Sequence, residues 1–319
     1  MLFIGIDIGG TKIAGAAVSA EGEVTDLHTR ATPTHDSEAT VQAVIEIVHA
    51  VAAGREITAL GVAAPGFIDA AQSVVYYAPN LSWRNYPLRD RLREEFASAT
   101  IVVDNDASAA GWAEHRFGVG AGAGDMVMLT LGTGVGGAIV TDGRLVRGGF
   151  GAASELGHMR VVPNGRLCGC GASGCLEQYA SGRALQRLAA VYAGESGEEL
   201  AASIGADGRV PSDALAAAIA SEQPAAMRAL TEVGGWIGQA CASFSVVLDP
   251  RLFVIGGGVA ASGAPLLDAV RQAYHDHLPA RGFHPEPEFA IAEFVNNSGV
   301  AGAGDLARVA HERVRTTAR

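Results

Sequence analysis

Between positions 158 and 175 the chain gathers His158, Cys168, Cys170 and Cys175 in the stretch ELGHMRVVPNGRLCGCGASGC. One imidazole and three thiolates make a complete tetrahedral zinc shell, and with four protein ligands no position stays open for water, so such a metal is structural. Disulfides account for the cluster less well, because three neighbouring thiols cannot pair without a remainder and a reducing compartment disfavours the bond. Unligated thiols are the alternative, since Cys-x-Cys-x4-Cys is not a standard finger spacing. Cys241, inside the apolar IGQACASFSVVL, reads as helix packing. Glu155 lies one helical turn before His158, and Glu177 two residues after Cys175. A metal here would pin both carboxylates toward one place, where they could accept hydrogen bonds from a polyol. The plain alternative is a pair of solvated surface glutamates.

A second chemistry resides in three glycine-rich turns, Gly9–Gly10, 132–137 (with Gly132 and Gly134) and Gly256–Gly257–Gly258. Each follows an apolar strand, so each can bring backbone N–H groups close to a phosphate. None has the Walker or Rossmann spacing, and a hairpin glycine by itself often does no more than permit positive φ. The neighbouring side chains add to the case: Asp7 could hold Mg²⁺ through water, while Thr11, Lys12 and Thr133 offer donors to β- and γ-phosphates. Lys12 is the only lysine in the chain. In VVDNDASAAGWAEH, Asn105 and Asp106 fall where a strand meets a helix, the edge at which α/β proteins place ligands. One of Asp104, Asn105 and Asp106 is expected to cap that helix; a carboxylate left over could take a hydroxyl proton.

The elements that must position these groups read as an α/β pattern. LFIGIDIGGTKIAGAAVS is a hairpin with strands near 2–8 and 12–19, and DMVMLTLGTGVGGAIVTDG at 125–143 repeats its plan, which points to internal duplication. Between them lie a helix near 38–53, a strand at 59–69, a helix near 87–97, a strand at 100–105 and a helix at 107–116. Beyond 180 the pattern turns helical, with a surface loop at 193–212, a strand opening RLFVIGGGVA at 251–260 and a closing helix near 301–314. At 319 residues, 49% hydrophobic and 18% charged, the chain can bury a core of two domains. The net charge of −11 and the lack of any Lys/Arg run argue against nucleic acid or an anionic membrane as partner. No apolar run spans a bilayer and Asp7 interrupts any secretory segment, so the expected location is cytoplasmic.

These stretches resemble the ROK family of bacterial sugar kinases over nearly the whole chain: DIGGTK (7–12), GVAAPGFID (61–69), APNLSW (78–83), DNDASAA (104–110), LGTGVGG (131–137), ELGH (155–158), CGCGASGCLE (168–177) and IGGGV (255–259). The cysteine-bearing stretch is the most specific. The likeness is strongest to the family's actinobacterial, ATP-dependent glucokinase type. It implies a two-domain actin-like, ribonuclease-H-like ATPase fold with a cleft between the lobes. A small α/β domain over 1–116 would be completed by a C-terminal helix at 301–319, and 117–300 would form a large α/β domain carrying the zinc loop. The resemblance further implies phosphorylation of D-glucose at its 6-hydroxyl by ATP with Mg²⁺, beside one structural Zn²⁺. Asn105, Asp106, Glu155, His158 and Glu177 would bind sugar hydroxyls, with Asp106 as base and Gly66 and Asn80 as further contacts. His158 would serve metal and sugar with different nitrogens. Family glucokinases work as dimers or tetramers, so a homodimer or homotetramer is expected. The same motifs serve kinases of N-acetylmannosamine, N-acetylglucosamine or fructose, and a catalytically silent sugar sensor stays open as a second class. Polyphosphate as donor is disfavoured for want of a basic track. The segment NNSGVAGAGDLA at 296–307 departs from the family's Asn-x-Ala-Gly-Leu wording. The chain opens on the first hairpin, where DNA-binding family members carry a helix-turn-helix.

Overall fold

A computed structural model describes residues 1–294 and 297–317. From the N-terminus the elements run β1 (Phe3–Ile8), β2 (Lys12–Val18), β3 (Val24–Ala31), α1 (Ser37–Ala52), β4 (Ala59–Ala64), β5 (Phe67–Ile68), β6 (Val75–Tyr77), β7 (Arg84–Tyr86), α2 (Leu88–Glu95), β8 (Thr100–Asn105) and α3 (Asp106–Phe117). They continue with β9 (Met126–Leu131), β10 (Val135–Thr141), β11 (Arg144–Leu145), α4 (Glu177–Ala180), α5 (Gly182–Ser196), α6 (Ser212–Ala220), α7 (Pro224–Leu248), β12 (Leu252–Gly256), α8 (Ala264–His277), β13 (Glu288–Ile291) and α9 (Ser298–Thr317).

Two five-stranded sheets share one plan, β3-β2-β1-β4-β8 and β11-β10-β9-β12-β13, and the small sheet β5-β6-β7 stands apart. In the first, β1, β2 and β3 pair antiparallel and β1, β4 and β8 parallel. In the second, β10 and β11 are antiparallel and β9, β12 and β13 parallel. The repeated hairpin motif of the sequence thus appears as a repeated strand order. All residues of β4 and β12 are buried, as parallel strands covered on both faces require.

Chain packing divides the molecule into two compact units, Met1–Gly122 with Ala138–Ser154 and Glu293–Arg319, and Ala123–Gly137 with Glu155–Ala292. In the first, α1 lays Val41, Val44, Ile47, Val48 and Val51 against Ile4, Ile6 and Ile8 of β1. Helix α9 sets Val300 against Ala14, Ala16 and Val18, and Ala303 and Leu306 against Ala63, Ala109 and Trp112. The stretch 138–154, read above with the second domain, packs with the first unit because Arg147 is ion-paired to Asp104 and Gly151 lies against the backbone at 68–70. In the second unit α7 carries a long buried face from Ala225 to Phe244.

Several boundaries differ from expectation. The strand read over 59–69 breaks after Ala64, where Pro65 lacks an N–H and Gly66 takes φ +98°. The stretch 193–212 is not a plain surface loop: α5 runs to Ser196, a 3₁₀ turn covers Glu199–Ser203, and Leu200 and Val210 are buried. Strand β3 was invisible because its exposed edge residues VTDLHTRA carry no apolar alternation. Helix α9 starts at Ser298, one turn before the reading; Asn296 of the NNSG segment and residues 318–319 of the expected C-terminal helix lie outside the described residues. Among the described residues no helix is long and apolar enough to cross a membrane.

Candidate functional site

In the first unit, β1 ends at the turn Gly9–Lys12, closed by Gly9 N–H to the Lys12 carbonyl at 2.9 Å and braced by the Thr32 hydroxyl on the Gly9 carbonyl at 2.8 Å. Thr11 and Lys12 leave their side chains exposed there. Asp7, near the end of β1, has its carboxyl raised from 3.8 to about 6, first by burial, then by the Asp106 charge, with Lys12 opposing. Asp106 is raised as well, with burial the first cause and the Ala107 N–H pulling the other way. The two neighbouring carboxylates suit a hard divalent cation, and the Lys12 ammonium suits a phosphate oxygen. Sequence reasoning missed one support: Gly299, in the first turn of α9, packs so close that a Cβ would stand 2.6 Å from the Asp7 carboxylate. Only glycine lets the helix start there.

The helix cap is Asn105. Its Oδ1 accepts from Ser108 N at 2.9 Å and its Nδ2 donates to the Gly66 carbonyl at 3.0 Å. Asp106, the first residue of α3, is left without a capping task; its Oδ1 accepts its neighbour's Ala107 N at 2.8 Å, and the Asn105 side chain also favours its ionised form. Gly66 thus touches Asn105, with Asp106 next to it in the chain, and Asn80 stands exposed beside Gly10, whose Cβ position is 3.7 Å from the Asn80 Cβ.

In the second unit His158, Cys168, Cys170 and Cys175 present ligand atoms that all lie within 4.8 Å of one another. Cys170 Sγ and Cys175 Sγ are 3.6 Å apart, and Cys168 Sγ is 3.7 Å from His158 Nδ1. Tetrahedral sulfur ligands about 2.3 Å from zinc stand about 3.7 Å from one another, so the four fit that ion. Burial pushes the Cys175 thiol up to about 12, while the Ala172 N–H pulls Cys170 down; a bound dication would deprotonate both. With Nδ1 toward the sulfurs, Nε2 of His158 remains the outer nitrogen.

Glu177 begins α4 beside this loop, with Oε2 accepting Val135 N at 3.2 Å and Oε1 accepting from Cys168 Sγ at 3.7 Å. It joins the cysteine loop to the glycine turn after β9. Glu155 is half-buried, and its carbonyl accepts His158 N at 3.0 Å in the 3₁₀ turn Leu156–His158.

The same turn opens a cavity of about 690 Å³. Gly132, Thr133 and Gly258 line it, so two of the three glycine turns meet here; Gly256 is buried at the end of β12 beneath Gly257. Its walls include Leu131, Leu215, Ile219, Val259 and Pro265, with Arg183, Gln186, Arg209 and Ser212 as polar groups. These residues escaped the sequence reading, since apolar positions on α5 and α6 look the same whether they line a core or a cavity. The Gly182 N–H bonds the Gly132 carbonyl at 2.8 Å and so sets the start of α5 on the turn.

Comparison with known proteins bears on this geometry. The ROK family model matches residues 3–310. The chain is 41% identical over 311 residues to a protein of Streptomyces coelicolor named glucokinase, covering 96% of this chain and 98% of that one. It is 32% identical over 310 residues to an N-acetylmannosamine kinase of Escherichia fergusonii, covering 97% and 99%. The crystal structure of a ROK family glucokinase from Streptomyces griseus in complex with glucose and AMPPNP aligns with a TM-score of 0.86 at 40% identity, covering 97% of this chain and 100% of that one. The paired sheets are accordingly those of the actin-like ATPase fold of the sugar kinases.

Proposed function

Because the chain belongs to the ROK family, we infer that it is a glucokinase, transferring the γ-phosphoryl group of ATP to the 6-hydroxyl of D-glucose. The observation that carries this reading is the Asn105–Asp106 pair: a cap that is already satisfied, followed by a carboxylate that burial makes more basic. A base works best with its pKa closer to the working pH, and burial moves Asp106 that way. As O6 attacks the γ-phosphorus, its proton passes to the Asp106 carboxylate, the O6–P bond forms, the bond from the γ-phosphorus to the β-phosphate oxygen breaks, and ADP leaves. Asn105, Glu155, His158 and Glu177 are assigned to the sugar hydroxyls, with Gly66 and Asn80 as further contacts.

The cavity beside Thr133 suits a nucleoside: it has apolar walls for a base, polar groups at Arg183, Gln186, Arg209 and Ser212, and Thr133 and Gly258 of the two glycine turns for phosphates. Such a cavity favours ATP over polyphosphate. Asp7 would hold Mg²⁺ through water, and Gly9, Gly10, Thr11 and Lys12 would attend the phosphates. When bound, Mg²⁺ neutralises charge on the transferring group. The four ligands His158, Cys168, Cys170 and Cys175 would hold a structural Zn²⁺ that orders the loop between Glu155 and Glu177. The working form is a homodimer or homotetramer in the cytoplasm.

The 32% identity to an N-acetylmannosamine kinase favours a second reading, an N-acetylhexosamine kinase. A coupled assay of ADP release with glucose, mannose, fructose, N-acetylglucosamine and N-acetylmannosamine decides between them. Glucose is expected to give the highest kcat/KM. Preference for an acetylated sugar would replace the reading, and no turnover with any of them would leave a sensor.

A further inference from the structure

Asp104 immediately precedes the Asn105–Asp106 pair and is only 4% exposed. Its carboxylate is bonded on both oxygens: Oδ1 accepts Asn105 N at 3.0 Å, and Oδ2 accepts Gln72 Nε2 at 2.9 Å and Arg147 Nε and Nη2 at 2.9 and 2.6 Å. A buried ion pair is a poor means of gaining stability, because desolvation offsets the attraction. Two guanidinium nitrogens converging on Oδ2, with Oδ1 held by Asn105 N, do something else: together they fix the orientation of the carboxylate.

What it orients can be read from the loop that Arg147 opens, RGGFGAAS (147–154). The loop is closed at its base by Ala153 N on the Arg147 carbonyl at 3.0 Å and by the Ser154 hydroxyl on the Val146 carbonyl at 2.9 Å. Its middle rests on the turn after β5. There Gly151 takes φ +88°, and a Cβ would collide with the Ile68 carbonyl and Ala70 N. That turn also supplies Gln72, whose carbonyl accepts Val103 N at 3.1 Å and whose amide meets Asp104. The residue after the loop is Glu155. One carboxylate thus joins the backbone of Asn105, the turn at 69–73 and the loop that leads to Glu155.

We propose that Arg147 is a positioning residue for the sugar: through Asp104 it sets the orientation of Asn105 and the seat of loop 147–154, and thereby governs sugar affinity and not nucleotide affinity. The proposal rests on the assignment of Asn105, Asp106 and Glu155 to the sugar.

The test compares the wild type with Arg147→Met, Arg147→Lys and the double variant Asp104→Asn/Arg147→Met. It uses calorimetry with glucose alone and with a non-hydrolysable ATP analogue alone, then steady-state kinetics and melting temperature. Loosening Asn105 and the loop before Glu155 forfeits about one charge-assisted hydrogen bond to the sugar, on the order of 10- to 100-fold in affinity. Arg147→Met should accordingly raise the glucose Kd and KM by about 10- to 100-fold, with nucleotide Kd and kcat within about threefold. Arg147→Lys, which keeps the charge on a single prong, should fall between it and the wild type. The double variant buries no lone carboxylate, so it should recover the melting temperature yet keep the weak glucose binding; it also carries the measurement if Arg147→Met does not fold. Wild-type glucose affinity in Arg147→Met, or a double variant that recovers affinity together with melting temperature, overturns the proposal. A wild-type protein that binds no sugar at all removes the kinase reading and this one with it, whereas Arg147 variants that bind glucose normally remove this one alone.

Discussion

The two sheets repeat one strand order, yet their hairpin turns do different chemistry. The turn after β1 is surrounded by ionisable side chains, Asp7, Lys12 and the nearby Asp106, whose charges perturb one another. The turn after β9 offers Thr133 and backbone N–H groups, and the carboxylate beside it, Glu177, is held by Val135 N and Cys168. The difference teaches how a duplicated scaffold divides work. One copy gathers titratable side chains around its turn; the other sets a threonine and glycines beside a cavity and ties the turn through Glu177 to a cluster of cysteines. Breaking the first should abolish chemistry, and breaking the second should loosen binding.

The largest effect is expected at Asp106. Asn keeps the shape and cannot take a proton, so Asp106→Asn should lose about 10²- to 10⁴-fold in kcat, the usual share of a general base, with glucose binding by calorimetry near the wild-type value. Turnover within threefold of wild type would take the base away from the first unit. Next comes the cysteine cluster. Cys170→Ala should lose bound zinc by metal analysis and weaken glucose binding about 10- to 100-fold, since the loop between Glu155 and Glu177 loses its tie. A zinc-free variant with full glucose affinity would show that the second unit needs no metal brace.

What the sequence made legible follows the same division. His158, Cys168, Cys170 and Cys175 sit on one short stretch, so spacing alone brought them together, and the glycine turns declared themselves through the strands on either side. Asn105 and Asp106 could be placed at a strand–helix junction, though which of them caps α3 needed the Ser108 bond to decide. Groups assembled from distant parts of the chain were not legible. Gly299 approaches Asp7 from almost three hundred residues away, Arg147 reaches Asp104 across 43 residues, and Arg183 and Arg209 meet at the cavity from separate elements. Long-range packing leaves no local periodicity to read. The short strands β6, β7 and β13 were hidden for a related reason: three or four residues carry too little pattern to rise above a loop.

A smaller effect tests the cradle itself. Thr133→Ala removes one hydroxyl donor from a turn whose N–H groups remain, so ATP affinity or turnover should fall about tenfold, the value of a single hydrogen bond to a charged group, while glucose affinity stays unchanged. Loss of glucose binding with ATP binding intact would mean that the roles given to the two turns are reversed.

The smallest effect is in stability, and it separates cap from base within two adjacent residues. Asn105→Ala removes the side-chain bond to Ser108 N and should cost about 1 kcal/mol at acid pH, and more as pH rises, because the Asn105 side chain also favours the ionised Asp106 carboxylate. Asp106→Asn should behave otherwise. Burial holds the Asp106 carboxyl above its ordinary value of 3.8, so the folded protein binds that proton more tightly than the unfolded chain does. Stability from this group is therefore fully present below about pH 4, the unfolded value, and is lost as pH rises through the folded value. Asparagine never ionises and escapes the loss. It also removes the charge that helps to raise Asp7, which acts in the same direction. Melting curves of the ligand-free proteins between pH 4 and 8 should show Asp106→Asn gaining on the wild type as pH rises, while Asn105→Ala falls further behind it. A difference for Asp106→Asn that is flat or shrinks with pH would mean that its carboxylate is well solvated in the folded state, and the physical ground for making it the base would be gone.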